Sequence, residues 1–183
     1  AFSIPINNLK KAIDDFITSG EIKYGWLGVQ LLEINDKFRE SLNLKDIEGA
    51  FAGQVFLGSP ADKGGIKPGD YITEVNSTKV KSVDDILRVI ADLKPGESSS
   101  FKILRKGKEI SATVKIEERD EKNVADSSKL WPGFVPSPLT EEIIKQLELK
   151  KGQNGVLVTS LQAKSPAAVM SLQPGDLIVK VNG

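Results

Sequence analysis

The 183-residue sequence contains no histidine, no cysteine, a single methionine and no excess of either charge, with 25 basic and 25 acidic side chains. Each shortage removes a class of chemistry. Without histidine there is no His-based catalytic triad, no imidazole acid–base catalyst and no His-ligated zinc site within these residues. Without cysteine there is neither a disulfide framework nor a thiol nucleophile, and either redox compartment is compatible. A formal net charge of zero gives no overall field that would draw the chain to nucleic acid or to an anionic membrane. No apolar run approaches the ~20 residues that span a bilayer. Neither a metal nor a cofactor is expected. The chain opens on Ala1 rather than on methionine, which leads to the expectation of an upstream region that carried any export signal.

What is present is an ordinary globular composition, 39% hydrophobic, organised around one stretch. Ser59 to Asn76 reads SPADKGGIKPGDYITEVN: Ser-Pro-Ala opens a short helical turn, Pro68-Gly69-Asp70 makes a tight turn, and Tyr71 to Asn76 alternates like a half-buried strand. Ser165 to Asn182 reads SPAAVMSLQPGDLIVKVN, with the same landmarks at the same internal spacing. The duplication extends further. Trp131-Pro132-Gly133-Phe134 lies 105 residues beyond Trp26-Leu27-Gly28-Val29, whereas the two frames lie 106 apart, so one residue separates the registers. A repeat of this length favours two small domains over one large one.

Read in order, Phe2 to Ile6 is a short extended piece that Pro5 weakens as an inner strand. Asn7 or Asn8 caps an amphipathic helix with Leu9, Ile13, Phe16 and Ile17 on one face, ending at Gly20. Tyr24 to Leu32 is a glycine-punctuated turn running into a strand. A short helix over Asp36–Leu44 and a strand over Ala50–Leu57 follow. Ser82 caps the best helix of the chain, Val83–Leu93, with Asp84 and Asp85 in its first turn, where the helix dipole favours negative charge. Phe101–Arg105 and Glu109–Ile116 flank Lys106-Gly107-Lys108 as a hairpin. Glu117 to Lys129 is charged and small, a solvated connector, with the linker placed at 119–129. The domains are then 21–118 and 130–183, the second an incomplete copy without counterparts of the long helix and the hairpin.

A domain of about five strands and one long helix leaves a sheet edge to be covered. Where a helix lies beside an edge strand without pairing to it, an extended peptide can add as a further strand, held by main-chain hydrogen bonds. Successive amides of Leu27, Gly28 and Val29 can point inward and cradle a terminal carboxylate, and Gly28 can take a positive φ.

The aromatic-x-Gly-apolar loop, the two Ser-Pro-Ala…Pro-Gly-Asp…Asn frames and the Phe-Ser-Ile-Pro lead-in resemble PDZ domains of the circularly permuted bacterial order. More narrowly they resemble the C-terminal region of the HtrA/Do (Deg) family of extracytoplasmic serine proteases. The resemblance covers essentially the whole chain. It implies a mainly β fold with short helices (α+β), a partly open barrel or sandwich of about five strands with one or two helices, duplicated. It implies residues 1–20 as the end of a protease domain, a periplasmic setting, and a trypsin-like endopeptidase as the parent, trimeric or larger. This chain itself is expected to be monomeric and to hydrolyse nothing. Its partners by this resemblance are C-terminal or extended segments of unfolded proteins. Carried over by position, Trp26, Leu27, Gly28 and Val29 become the carboxylate loop, Gln30, Leu31 and Leu32 the peptide-pairing strand, and Val83, Leu87 and Ile90 the helix wall. Trp131, Gly133 and Phe134 become the second loop, where Pro132 lacks an amide donor.

Each residue also has a plainer reading. Gly28 serves as a turn glycine, Trp26 anchors the loop in the core, and Leu87 and Ile90 are core residues of a helix. The two Pro-Gly-Asp turns are structural, with Asp capping locally. Asp84 and Asp85 diverge by about 100° on a helix and form no dyad. Lys164-Ser165 and Ser98-Ser99-Ser100 lack a paired base and read as loops. Two other classes stay open: the PDZ region of a different processing protease, with a Ser-Lys dyad or a membrane-embedded metal site elsewhere, and a non-enzymatic peptide-binding scaffold.

Overall fold

The computed structural model describes residues 23–44, 46–120, 126–150 and 152–181, together with Ile13, Phe16, Ile17 and Gly20. The extended piece at 2–6 and most of the helix at 7–19 lie outside the described residues. Ile13, Phe16 and Ile17 are helical, and their apolar side chains are exposed.

The first repeat is built from β1 (Gly25–Trp26), β2 (Val29–Leu32), α1 (Asp36–Ser41), β3 (Ala50–Phe56), α2 (Pro60–Lys63), β4 (Tyr71–Val75), β5 (Thr78–Lys79), α3 (Val83–Asp92), β6 (Ser98–Arg105), β7 (Lys108–Lys115) and β8 (Glu117–Glu118). The main sheet runs β2-β3-β4-β6-β7, with β5 paired to β4, and β1 pairs β8 separately. Its longest ladder is the β6–β7 hairpin, in register from Ser98↔Lys115 to Arg105↔Lys108. Lys106 and Gly107 between them have φ of 51° and 75°, as a two-residue type I′ turn demands. The three consecutive serines at 98–100 therefore open a strand and are not a loop.

Local chemistry fixes the helix starts. Ser59 Oγ accepts from the Asp62 amide, and Ser82 Oγ from the Asp85 amide, while the Asp85 carboxylate turns back to accept from Lys81 N–H at 3.1 Å. Alternating residues of the sheet meet α3 in one core containing Ile72, Val75, Ile86, Ile90, Phe101 and Ile103, each worth about 1.5–3 kcal/mol when removed from water. A second, smaller core of Ile34, Leu44, Phe51 and Tyr71 lies under α1. There the Tyr71 hydroxyl donates to the Gly49 or Ile47 carbonyl at 3.1 and 3.2 Å, and burial pushes its pKa up.

Asp70, read from sequence as a local cap, does cap: it accepts from Lys67 N–H at 2.7 Å. It also anchors the hairpin. Fully buried, it receives Arg105 Nε at 2.7 Å and Nη2 at 2.8 Å, and that hydrogen bonding raises the Arg105 pKa.

The second repeat comprises β9 (Leu130–Trp131), β10 (Phe134–Pro138), α4 (Glu141–Gln146), β11 (Val156–Leu161), α5 (Pro166–Val169) and β12 (Leu177–Ile178), with a sheet of order β10-β11-β12. The charged stretch read as a solvated connector carries regular structure among its described residues. Glu117 and Glu118 pair with β1, and Ser127–Lys129 forms a 3₁₀ turn leading straight into β9. Strand β9 then joins the first repeat's sheet through Val55↔Trp131 and Phe56↔Leu130, prolonged by Leu57 N–H to Lys129 O at 2.6 Å. It lies along the edge of β3 that β4 leaves after pairing Ala50 and Phe51. A further link is the exposed ion pair Lys37–Glu142 at 3.2 Å, between positions equivalent in the two repeats.

Candidate functional site

Strand β2 is the outermost strand of the main sheet, so among the described residues one side of its backbone has no strand partner. Helix α3 lies alongside it. Its start is tied to the far end of β2 by Val83 N–H donating to Glu33 Oε1 at 2.9 Å. Its end is pressed against β1: a Cβ on Gly25 would come within 2.4 Å of the Ile90 carbonyl oxygen and 2.8 Å of that of Leu93. Only glycine admits that approach. The result is a cleft of about 270 Å³ lined by the segment from Tyr24 to Val29, by Leu31, and by Leu87, Ile90, Ala91 and Arg119.

The loop closing this cleft is rigidly held from behind. The Leu27 carbonyl accepts from Ala61 N–H at 2.9 Å, and the Gly28 carbonyl accepts from Phe56 N–H at 2.9 Å and Ser59 Oγ at 3.3 Å. In a trans peptide the N–H points opposite to the C=O it follows. With both carbonyls turned onto the body of the domain, the amides of Gly28 and Val29 face the other way. Gly28 has φ of 78°, and a Cβ there would meet Ser59 Cβ at 2.3 Å, so the position requires glycine twice over. Trp26 packs edge-on to Phe56, ring centroids 5.9 Å apart, which anchors the loop's first residue.

Of the residues singled out in the sequence, Trp26, Leu27, Gly28, Val29, Leu31, Leu87 and Ile90 converge on the cleft. Leu27 and Ile90 are buried and share the main core, whereas Leu87 is half exposed and presents its side chain at the surface. Gln30 and Leu32 point to the opposite face of β2. Gln30 Oε1 accepts from Gln54 Nε2 at 2.6 Å, and Leu32 packs on the second core. Val83 packs on the main core and is not part of the lining. Sequence reasoning missed Tyr24, Ala91 and Arg119. Arg119 sat in a charged run taken for connector, and only the β1–β8 pairing brings it here.

In the second repeat Gly133 has φ of 88°, and its carbonyl accepts from Gln162 N–H at 2.9 Å and Ser165 Oγ at 3.2 Å, matching Gly28. Phe134 begins β10, and Trp131 is committed to the ladder with β3. Among the described residues no helix flanks β10 as α3 flanks β2. A larger cleft of about 710 Å³ elsewhere on the first repeat involves Arg39, Glu74, Lys102 and Glu109. Its Lys102 bridges Glu74 and Glu109 at 3.4 and 3.8 Å.

A sheet edge left open beside an apolar helix, closed by a Gly-centred loop with two inward amides, defines the PDZ class of domain. The sequence pattern of the PDZ domain family matches residues 25–116, and the chain belongs to that family. Along its whole length it is similar to DegP-like proteins. It is 35% identical over 184 residues to a probable periplasmic serine endoprotease DegP-like of Bartonella henselae, covering 100% of this chain and 36% of that protein. It is 32% identical over 182 residues to the periplasmic serine endoprotease DegP of Salmonella typhimurium, covering 99% and 36%. The chain thus spans about a third of the length of these relatives. Among solved structures, the HtrA-type protease AlgW with tripeptide superposes with a TM-score of 0.58 at 27% identity, covering 64% of this chain and 39% of that one. The same protease with decapeptide gives a TM-score of 0.56 at 27% identity, covering 64% and 36%. The resemblance to PDZ domains thus holds for the fold and for the family.

Proposed function

We propose that this chain is the substrate-capturing and regulatory region of a periplasmic HtrA/Do-type serine endopeptidase of protein quality control. It binds apolar C-termini of unfolded proteins by strand addition to β2. The observation that carries this reading is the conjunction at β2 of an unpartnered edge, an apolar helix wall at Leu87 and Ile90, and inward amides at Gly28 and Val29. A peptide extending β2 gains main-chain hydrogen bonds along the edge. Its last residue reaches the loop, where aligned amides favour a carboxylate, and its apolar side chain enters the cleft. The relatives named as periplasmic endoproteases and the peptide-bearing AlgW structures support this reading.

In this reading residues 21–118 are the peptide-binding domain, 119–129 the linker and 130–183 a second domain that docks on the first. Residues 1–20 lead in from a protease domain of the parent, which supplies the catalytic triad and the subunit contacts of a trimer or larger assembly. With no histidine, this chain does not itself supply the triad's imidazole.

The test is an amide-shift titration of the isotope-labelled chain with hexapeptides ending in Val, Leu, Ile or Phe. The expected outcome is a set of shifts at Gly28, Val29, Leu31 and Leu87, lost in Leu87→Arg while thermal stability changes little at this half-exposed site. Shifts confined to other surfaces, or binding indifferent to Leu87→Arg, overturn the groove reading.

A further inference from the structure

We infer that Glu33 limits the length of segment this groove accepts, its side chain barring the far end so that a ligand pairs with β2 and turns away before the start of α3. The inference rests on the peptide-binding reading above and deepens it. The cleft runs along β2 no further than Leu31 and along α3 no further than Leu87. Glu33 and Val83, one step outward on each wall, take no part in its lining.

A hydrogen bond joins those two residues across the groove. Glu33 stands two residues beyond Leu31 and so on the same side of the extended chain as the cleft. Its carboxylate crosses to the helix, where Oε1 accepts from the Val83 N–H at 2.9 Å. That amide is one of the unpaired donors that open every helix, and Ser82 leaves it free because its Oγ takes the Asp85 N–H instead. The other described helix starts rest on their own caps, Asn35, Ser59, Thr140 and Ser165. Only the helix that walls the groove is held by a side chain from the facing strand.

A strand added to β2 runs about 4.8 Å from it, in the space that the Glu33 side chain bridges. Antiparallel to β2 with its end at the Gly28 loop, such a ligand meets Val29 to Leu32 with about its last four residues and the Glu33 bridge with the next. Ligand backbone and bridge cannot share that span, so upstream residues leave the groove there unless the Val83 N–H is released. Release gives up a charge-assisted hydrogen bond and unpairs a helix donor. One or two further backbone hydrogen bonds to the ligand do no more than offset that loss, so added length gains little.

The experiment measures, by calorimetry on the full chain, binding of tetrapeptides and octapeptides that share their last four residues and end in Val, Leu, Ile or Phe. Wild type is compared with Glu33→Gln, which keeps the reach and the acceptor, and with Glu33→Asp, which keeps the charge and is one methylene too short for Val83. Thermal unfolding checks that the variants stay folded. In wild type and Glu33→Gln the two lengths should bind within roughly threefold of each other. In Glu33→Asp the octapeptide should bind roughly tenfold more tightly than the tetrapeptide, whose own affinity is unchanged. Wild-type affinity that climbs with length as steeply as in Glu33→Asp overturns the role of Glu33 and leaves the groove intact. Equal weakening of both lengths in Glu33→Asp does the same, since Glu33 then merely holds α3 in place. Glu33→Gln behaving as Glu33→Asp also overturns it, because charge and not reach would then be at work. Failure of wild type to bind either length overturns the groove reading, and the Glu33 inference with it.

Discussion

The two repeats share their turn chemistry almost atom for atom and differ in what that chemistry is covered by. Gly69 N–H donates to the Ala52 carbonyl and Ala52 N–H to the Asp70 carbonyl, both at 2.8 Å; Gly175, Val158 and Asp176 repeat the arrangement at 2.8 and 2.9 Å. Asp70 and Asp176 accept from Lys67 and Gln173 N–H, each at 2.7 Å. Ala61 and Ala167 are both fully buried. Beyond the turn the copies part. Val75 is fully buried, whereas its counterpart Val181 is 74% exposed, because in the first repeat β6 pairs along β4 and among the described residues no strand does so for β12. The frame specifies a turn and a strand start. A core arrives only when a distant hairpin lies down on it.

The sharpest way to break the comparison is at the paired aspartates. Asp70→Ala removes the buried carboxylate that holds the partly exposed Arg105 and the Lys67 amide and should cost about 2–3 kcal/mol. Asp176→Ala, at an exposed position without such a partner, should cost under about 1 kcal/mol. Urea unfolding of the two variants checks the ratio, and equal losses would show that the turn, and not the ion pair, supplies the stability.

The glycines sharpen the likeness instead. Gly28→Ala and Gly133→Ala each place a Cβ within 2.3 Å of a serine Cβ at a left-handed φ. Each should destabilise by about 1–3 kcal/mol. Only the first should abolish peptide binding, which titration of both variants reads directly.

The smallest effect is expected at the seam. Lys37→Glu sets like charges on equivalent, exposed positions of α1 and α4 and should change stability by less than about 0.5 kcal/mol, as measured by thermal unfolding.

What the sequence disclosed follows the range of each interaction. The helix starts at Ser59 and Ser82, the Lys106-Gly107 turn and the Gly28 loop are encoded by residues within a few positions of one another, and each was legible, whereas Ser165, read as loop, caps a helix. The groove was legible because the loop, β2 and α3 are all locally patterned and the repeat aligned them. Strand alternation, however, sends Gln30 and Leu32 away from the cleft, and Val83 turns into the core. The Asp70–Arg105 pair, the β1–β8 ladder that delivers Arg119, and the β3–β9 junction join residues tens of positions apart. No local pattern announces such partners, and a run of charges such as 117–129 reads as solvent-facing whether or not it is strand-paired.

The junction of β9 with β3 has a kinetic side. It is two residues long and joins Val55 to Trp131, whereas the hairpin ladder closes between Arg105 and Lys108. Contacts between near neighbours form fast and those spanning a long loop form late. The first repeat therefore completes its sheet before the second docks. In the native state the same short ladder is the cheapest part of the sheet to open, so the amides of Val55 and Leu57, which face β9, should exchange with solvent ahead of those along β6 and β7. The chain can then release its second repeat without disturbing the first.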